Sequence, residues 1–277
     1  MNQIVDLHRK IRHYCLDNFD FWMKKYQSVL DERPNTFTKT YEDGDHNLYP
    51  RYQALEALLQ GVEQVDPKRI GTIDKLRSNI IEIALSTETI FTKDNNGTAR
   101  NAIEDERGKF RDFVNSIKIE EFETVPELFY RRKLAIDESD KWKTKLKLRH
   151  QIDFSGFWYP KEIIQDQIDQ FLIFDEDKIL EESESKLNNL IKSEIGEKYY
   201  IFNEDDTNYE LEKETFDIFN LSPEAYLIDK EFNWLIYYSH EDFYIIRSKS
   251  IKNKIIIQFP ELIEHMNQLI NTEANKR

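Results

Sequence analysis

The stretch Phe232 to Arg247, FNWLIYYSHEDFYIIR, decides the fold class. Trp234 to Tyr238 and Phe243 to Arg247 are two runs rich in Ile, Tyr, Phe and Trp, side chains that suit a pleated, half-buried surface. Ser239, His240, Glu241 and Asp242 form a tight polar break between them. The pattern predicts two strands joined by a turn. A two-stranded ribbon is not stable alone in water, so the rest of the chain must supply further strands and covering helices.

Working outward, strands are expected at Tyr199 to Phe202, Tyr209 to Leu211 and Ala225 to Asp229. Asp229 to Asn233 (DKEFN) is polar enough for a turn, so the last three strands can form an antiparallel meander. A helix is expected over residues 176–195, stopped by Gly196. Another, amphipathic, runs from about Pro260 to Asn271. Phe154, Phe157, Trp158 and Tyr159, around Gly156, form an aromatic cluster at the seam where helical texture gives way to strands.

The amino-terminal part reads as helices. Ile4, Leu7, Ile11, Cys15, Phe19, Trp22, Tyr26 and Val29 recur at helical spacing over residues 2 to about 31. Pro50 is placed at the start of a second helix, where its missing N–H costs nothing. A third is expected from Ile73 to Phe91, and a fourth capped by Thr98. A short helical piece is expected at Glu127 to Leu134, and then a helix carrying Trp142 and Leu146. The expected class is α+β, an N-terminal helical layer followed by a small antiparallel sheet with covering helices. Residues 1–150 form the helical half and 151–277 the α+β half, or both make one continuous domain.

With 277 residues, 39% of them hydrophobic, the chain can bury one large or two modest cores. A single cysteine, Cys15, excludes an internal disulfide and a thiolate zinc site, and its place in a helical stripe suits a small buried hydrophobe. The N-terminus lacks a signal-peptide core, and no run of about 18 apolar residues occurs. A cytoplasmic protein is the expectation.

The net charge is -14. Between Asp166 and Glu212 lie 15 acidic and 4 basic residues; Tyr130 to Arg149 holds 8 basic and 3 acidic ones. The acid excess argues against nucleic acid as a partner. The basic run could take a phosphate, but pairing with the acidic segment of the same chain is the favoured account. The acidic segment is either a solvated face or a surface that steers a basic partner inward. Its candidate partner-binding residues are Asp175, Glu176, Asp177, Glu204, Asp205 and Asp206.

Chemistry-bearing motifs are sparse. Walker, GxGxxG, HExxH and GxSxG patterns are all missing, and no cofactor or metal is expected. Glu176-Asp177-Lys178 matches the Glu-x-Lys of metal-dependent nucleases, yet acidic residues ahead of a helix explain it better. Glu204-Asp205-Asp206 lacks the spaced ligands and glycine of a calcium loop and reads as solvated. His240 and Glu241 could act as acid and base at the exposed turn, although neighbours on a strand point to opposite faces. Polar turn residues more often bond local backbone groups, which is the favoured reading of Ser239 and His240.

Trp234-Leu235-Ile236-Tyr237-Tyr238-Ser239-His240-Glu241 resembles the closing strand pair of small bacterial immunity proteins that accompany toxins. In many of these a tryptophan-led strand ends in Ser-His-Glu. The resemblance spans residues 232–256, with Arg247-Ser248 where a glycine pair often stands. It implies an α+β protein that blocks a partner protein. The leading expectation is therefore a non-enzymatic binding protein whose acidic face neutralises a basic toxin. The alternatives are a hydrolase or nuclease using His240, Glu241 or the acidic loops, and a structural or regulatory subunit that dimerises through its helical half.

Overall fold

The computed structural model describes residues 3–33, 42–93, 96–118, 126–150, 171–176, 179, 181–203 and 207–260. Contacts divide the chain into two units, Met1–Leu128 and Phe129–Arg277. Residues 129–150, grouped above with the helical half, supply a strand and a helix to the second unit. The expected helix at 260–271 and the aromatic cluster at 154–159 lie outside the described residues.

The first unit holds α1 (Gln3–Asp31), α2 (Asp45–Gln64), α3 (Ile73–Ser86) and α4 (Gly97–Ser116). The apolar stripe of α1 does what its spacing requires: Leu7, Ile11 and Cys15 are fully buried against Leu55, Leu58 and Val62 of α2. Leu76, Ile80 and Ala84 of α3 and Phe110 and Val114 of α4 complete that core. Arg12 and Glu63 form a buried ion pair at 3.0 Å across α1 and α2. His8 Nε2 donates to the Val62 carbonyl at 3.0 Å.

Three helix ends differ from expectation. Pro50 lies inside α2, which starts at Asp45; Arg33 grips the Asp45 carboxylate with two bonds of 2.8 and 2.6 Å. The third helix stops at Ser86, because the Thr87 hydroxyl bonds the Ile83 carbonyl and Thr89 and Thr92 cap a separate 3-10 turn. Asn96, and not Thr98, caps α4: its side-chain oxygen accepts the N–H groups of Thr98 and Ala99.

The second unit is a seven-stranded antiparallel sheet with helices on both faces, so the chain is α+β. Its elements are β1 (Arg131–Lys133), α5 (Ile136–His150), β2 (Phe171–Asp175), α6 (Glu181–Glu194), β3 (Lys198–Phe202), β4 (Tyr209–Glu212), β5 (Ala225–Ile228), β6 (Leu235–Tyr238), β7 (Phe243–Arg247) and α7 (Lys249–Gln258). The strand order is β1-β4-β3-β5-β6-β7-β2. The meander β5-β6-β7 sits within it, with Tyr226 opposite Tyr237 and Tyr237 opposite Ile245. Where a helical piece was expected at 127–134 the chain makes β1, paired residue for residue with β4.

Every residue of β6 is buried, because both faces of the sheet are covered. Ile236, Tyr238, Tyr244 and Ile246 pack toward Leu187 and Ile191 of α6 and Ile251 and Ile255 of α7. Leu235, Tyr237, Phe243 and Ile245 pack on the other face with Trp142 and Leu146 of α5. This two-sided burial explains why the Leu-Ile-Tyr-Tyr run shows no polar alternation.

Candidate functional site

The β6–β7 turn gathers the chemistry-bearing side chains of the second unit at one end of the sheet. The Ser239 N–H bonds the Phe243 carbonyl at 3.0 Å and the Asp242 N–H bonds the Ser239 carbonyl at 3.1 Å. Asp242 closes the turn in the left-handed region, φ 58°, where an aspartate is better tolerated than most side chains. Ser239 is buried and its hydroxyl accepts the Glu241 N–H at 3.2 Å. Ser239 thus serves the turn's own backbone. Glu241 is exposed.

His240 has a different role. Its partner is Glu224, brought alongside by the meander register, in which Ala225 faces Tyr238. Glu224 Oε1 accepts the His240 backbone N–H at 3.0 Å and the Nδ1–H of the ring at 2.5 Å. Oε2 accepts the Tyr237 hydroxyl. Because a carboxylate can only accept, Nδ1 carries the proton and Nε2 is the lone-pair nitrogen of the neutral ring. Burial works to raise the Glu224 pKa, but the three donors outweigh it and hold the carboxyl below its ordinary range. The imidazole itself is 59% exposed. Glu224 has φ 60°, a strained value for a residue with a side chain, at the point where the chain enters β5.

On the opposite face, β2 runs beside β7 and delivers Asp175 and Glu176 to the same end: Asp175 faces Phe243 and the Glu176 N–H bonds the Asp242 carbonyl at 2.8 Å. The Glu176 carboxylate accepts the Tyr238 hydroxyl at 2.8 Å, while the Tyr244 hydroxyl, 3.4 Å from Glu176, donates to the Ile218 carbonyl at 3.0 Å. Tyr238 also reaches Asp242 at 3.2 Å, and its ring stacks on Tyr244 with centroids 4.7 Å apart. Burial first, and then Glu176 (through its hydrogen bond to Tyr238 and its charge near Tyr244), pushes both phenols well above their usual pKa. The two hydroxyls are fixed donors.

Of the residues singled out in the sequence, Asp175, Glu176, His240 and Glu241 come together at this end. Asp177, Glu204, Asp205 and Asp206 lie outside the described residues. Glu224, Asp242 and the two tyrosines were missed. Proximity of Glu224 to the turn follows only from the register of β5 on β6, which no local pattern gives away. Among the described residues no three His, Cys, Asp or Glu side chains are grouped to hold a metal ion. None of the described helices is long and apolar enough to cross a membrane.

The basic run is engaged in part by the acidic segment. Arg132 bonds Glu138 through two nitrogens at 2.7 and 2.8 Å and Glu210 at 2.7 Å, and Lys198 adds a second cation to Glu210 at 2.9 Å. Glu194 is paired with Lys254. By contrast, no lysine or arginine pairs with Glu176, Glu241 or Asp242 among the described residues. Compared with known proteins, the chain significantly matches no family model, no curated sequence and no solved structure.

Proposed function

We propose that the chain is a binding protein that covers a basic partner protein with the acidic end of its sheet. The observation that carries this reading is the set Asp175, Glu176, Glu224, Glu241 and Asp242 around the β6–β7 turn, of which Glu176, Glu241 and Asp242 have no internal lysine or arginine counter-ion among the described residues. The Tyr238 hydroxyl, 2.8 Å from Glu176 and 3.2 Å from Asp242, steadies Glu176 without neutralising it. A fixed, uncompensated negative surface favours encounter with a positive one and loses less ordering entropy on docking than mobile carboxylates would. The likeness of residues 232–256 to toxin-immunity proteins supports a basic toxin as the partner class and a bacterial cytoplasm as the setting.

The test is titration calorimetry against basic proteins encoded beside this gene. Stoichiometric binding that weakens with salt, and weakens about tenfold or more in Glu241→Lys combined with Asp242→Asn, is the expected result. Binding unchanged in that variant, or no binding to any neighbouring gene product, refutes the reading.

One arrangement favours a second function, hydrolysis. His240 has its Nδ1–H on a buried carboxylate and its ring in solvent, the layout of an oriented general base. The adjacent Ser239 hydroxyl is turned to the backbone, so a water molecule would have to be the nucleophile. A hydrolase and nuclease panel, with and without divalent metal, decides: activity abolished by His240→Ala in a folded protein would replace the binding function with catalysis.

A further inference from the structure

The far end of β7 presents the opposite charge. A cavity of about 540 Å³ opens there, within the size range of small-molecule sites. Arg149 and His150 from the end of α5, Phe232 from the β5–β6 turn, Arg247 from β7 and Ser248 and Lys249 from the start of α7 line it. Three of these are cations and no acidic side chain is among the lining. Arg149 and Lys249 are exposed and have no carboxylate partner among the described residues. The N-terminus of α7, capped by Ser248, adds the positive end of a helix dipole.

His150 supplies an independent sign of a missing acceptor. His150 is only 6% exposed, and its Nδ1 lies 3.0 Å from Arg247 Nη1. A guanidinium only donates, so Nδ1 accepts and the ring proton is on Nε2. That Nε2–H is buried and meets no acceptor among the described residues. Burial, and then the charges of Arg247 and Arg149, lower the pKa of His150 to about 4, so the ring is a neutral donor near pH 7. A buried donor left unpaired is costly.

Phe232 adds a flat apolar wall. It is held at φ 59° in the left-handed region, which a phenylalanine seldom adopts. Ring contacts to Trp142, with centroids 5.4 Å apart, and to His150 at 6.1 Å fix its orientation. A cationic recess beside an aromatic face suits an anion that also carries a ring.

We propose that this cavity binds a small phosphate monoester bearing a planar ring, of the mononucleotide class, with the phosphate between Arg149, Arg247, Lys249 and the start of α7 and the ring against Phe232. The site is separate from the acidic end of the sheet and stands or falls independently of the partner-binding function. Its chemistry is recognition, with no bond made or broken.

The experiment is calorimetric titration of the full chain with adenosine 5′-monophosphate, ribose 5-phosphate, inorganic phosphate and adenosine. Saturable binding of the nucleotide, tighter than that of the other three, is expected. Arg149→Gln and Lys249→Gln, both at exposed positions, should each weaken it about tenfold, the effect of losing one charged hydrogen bond. In nitrogen-15 spectra the His150 Nε2–H signal should move on addition of the nucleotide. No saturable binding of the nucleotide, equal affinity for inorganic phosphate, stronger binding of a single-stranded oligonucleotide, or full affinity in both variants would each overturn the proposal.

Discussion

Glu224 is bound to His240 twice, through the backbone N–H at 3.0 Å and the ring Nδ1 at 2.5 Å, although sixteen residues separate them. The pair ties the entrance of β5 to the β6–β7 turn. It holds a non-glycine residue at a positive φ, so its bonds must offset local strain.

Replacing Glu224 with glutamine removes the charge and keeps the shape. A loss of roughly 1–3 kcal/mol is expected, because the buried Tyr237 hydroxyl and the His240 backbone N–H lose a charged acceptor. The sign with pH follows from the lowered pKa of Glu224. Its stabilisation is complete above the unfolded value near 4.5 and fades as pH falls through the lower folded value. Urea unfolding of wild type and variant should therefore differ at pH 7 and converge in acid. Curves that stay parallel down to low pH would mean that the charge contributes nothing.

Arg132 and Glu210 present the same physics with higher stakes. Glu210 accepts Arg132 at 2.7 Å, Lys198 at 2.9 Å and the Tyr130 hydroxyl at 3.0 Å, while Arg132 itself is buried. Arg132→Met should destabilise the second unit by about 3–5 kcal/mol, since it leaves Glu210 short of its main partner. Combining it with Glu210→Leu should recover part of that loss, because the burial cost of both charges then disappears. A double variant less stable than the single one, by chemical denaturation, would contradict this account.

The contrast between β7 and β1 explains which parts of this fold are readable from residues alone. Phe243–Arg247 is apolar and β-branched, and its strand identity is local. Arg131–Lys133 is three charged residues with no apolar alternation, made a strand by pairing with β4 and by the reach of Arg132 to Glu210. Phe171 to Phe174 of β2 is a short apolar run, a pattern that a buried helix segment shares, so its strand identity is not local. Lys249–Gln258 contains Ile255-Ile256-Ile257, a β-like string that is helical because Ser248 caps it and Ile251 and Ile255 find the sheet. The candidate site follows the same division. The turn with His240 was legible; Glu224 and Glu176 reach it through strand register, a long-range property.

Gly61 marks a close approach of α2 to α3. A Cβ built there would collide with the Cα of Ala84 and come within 2.7 Å of the Thr87 hydroxyl. The Ala84 contact is backbone and cannot swing aside. Gly61→Ala should cost about 1–3 kcal/mol from overpacking, against the gain in helix propensity that the same change brings elsewhere. Gly108, with open space around its Cβ position in α4, is the control and should be neutral or stabilising. Equal effects at both positions would remove close helix approach as the reason for Gly61.

Cys15 reports on the same core. The thiol is fully buried, and burial pushes its pKa well up, so the reactive thiolate is suppressed twice over. As the chain has a single cysteine, labelling with a thiol reagent should be negligible in native buffer and fast in denaturant. Gly61→Ala should raise the native labelling rate in step with its loss of stability. Rapid labelling of the native wild type would place Cys15 outside the core.

His8 makes the first unit sensitive to mild acid. Burial lowers its pKa to about 4 against the opposing bond to the Val62 carbonyl. The unfolded chain protonates this histidine near 6.5 and the native one near 4, so the unfolded state binds the extra proton between those values. Stability is therefore full above pH 6.5 and declines as pH falls toward 4, by up to ~1.4 kcal/mol per pH unit, or about 3 kcal/mol in all. His8→Gln retains an N–H donor for the Val62 carbonyl and removes the titration. Its stability, followed by urea midpoint with circular dichroism, should be lower than wild type at pH 7.5 yet flatter between pH 6.5 and 4. If both proteins lose stability at the same rate across that interval, the acid sensitivity belongs to other groups and the imidazole is not held neutral by burial.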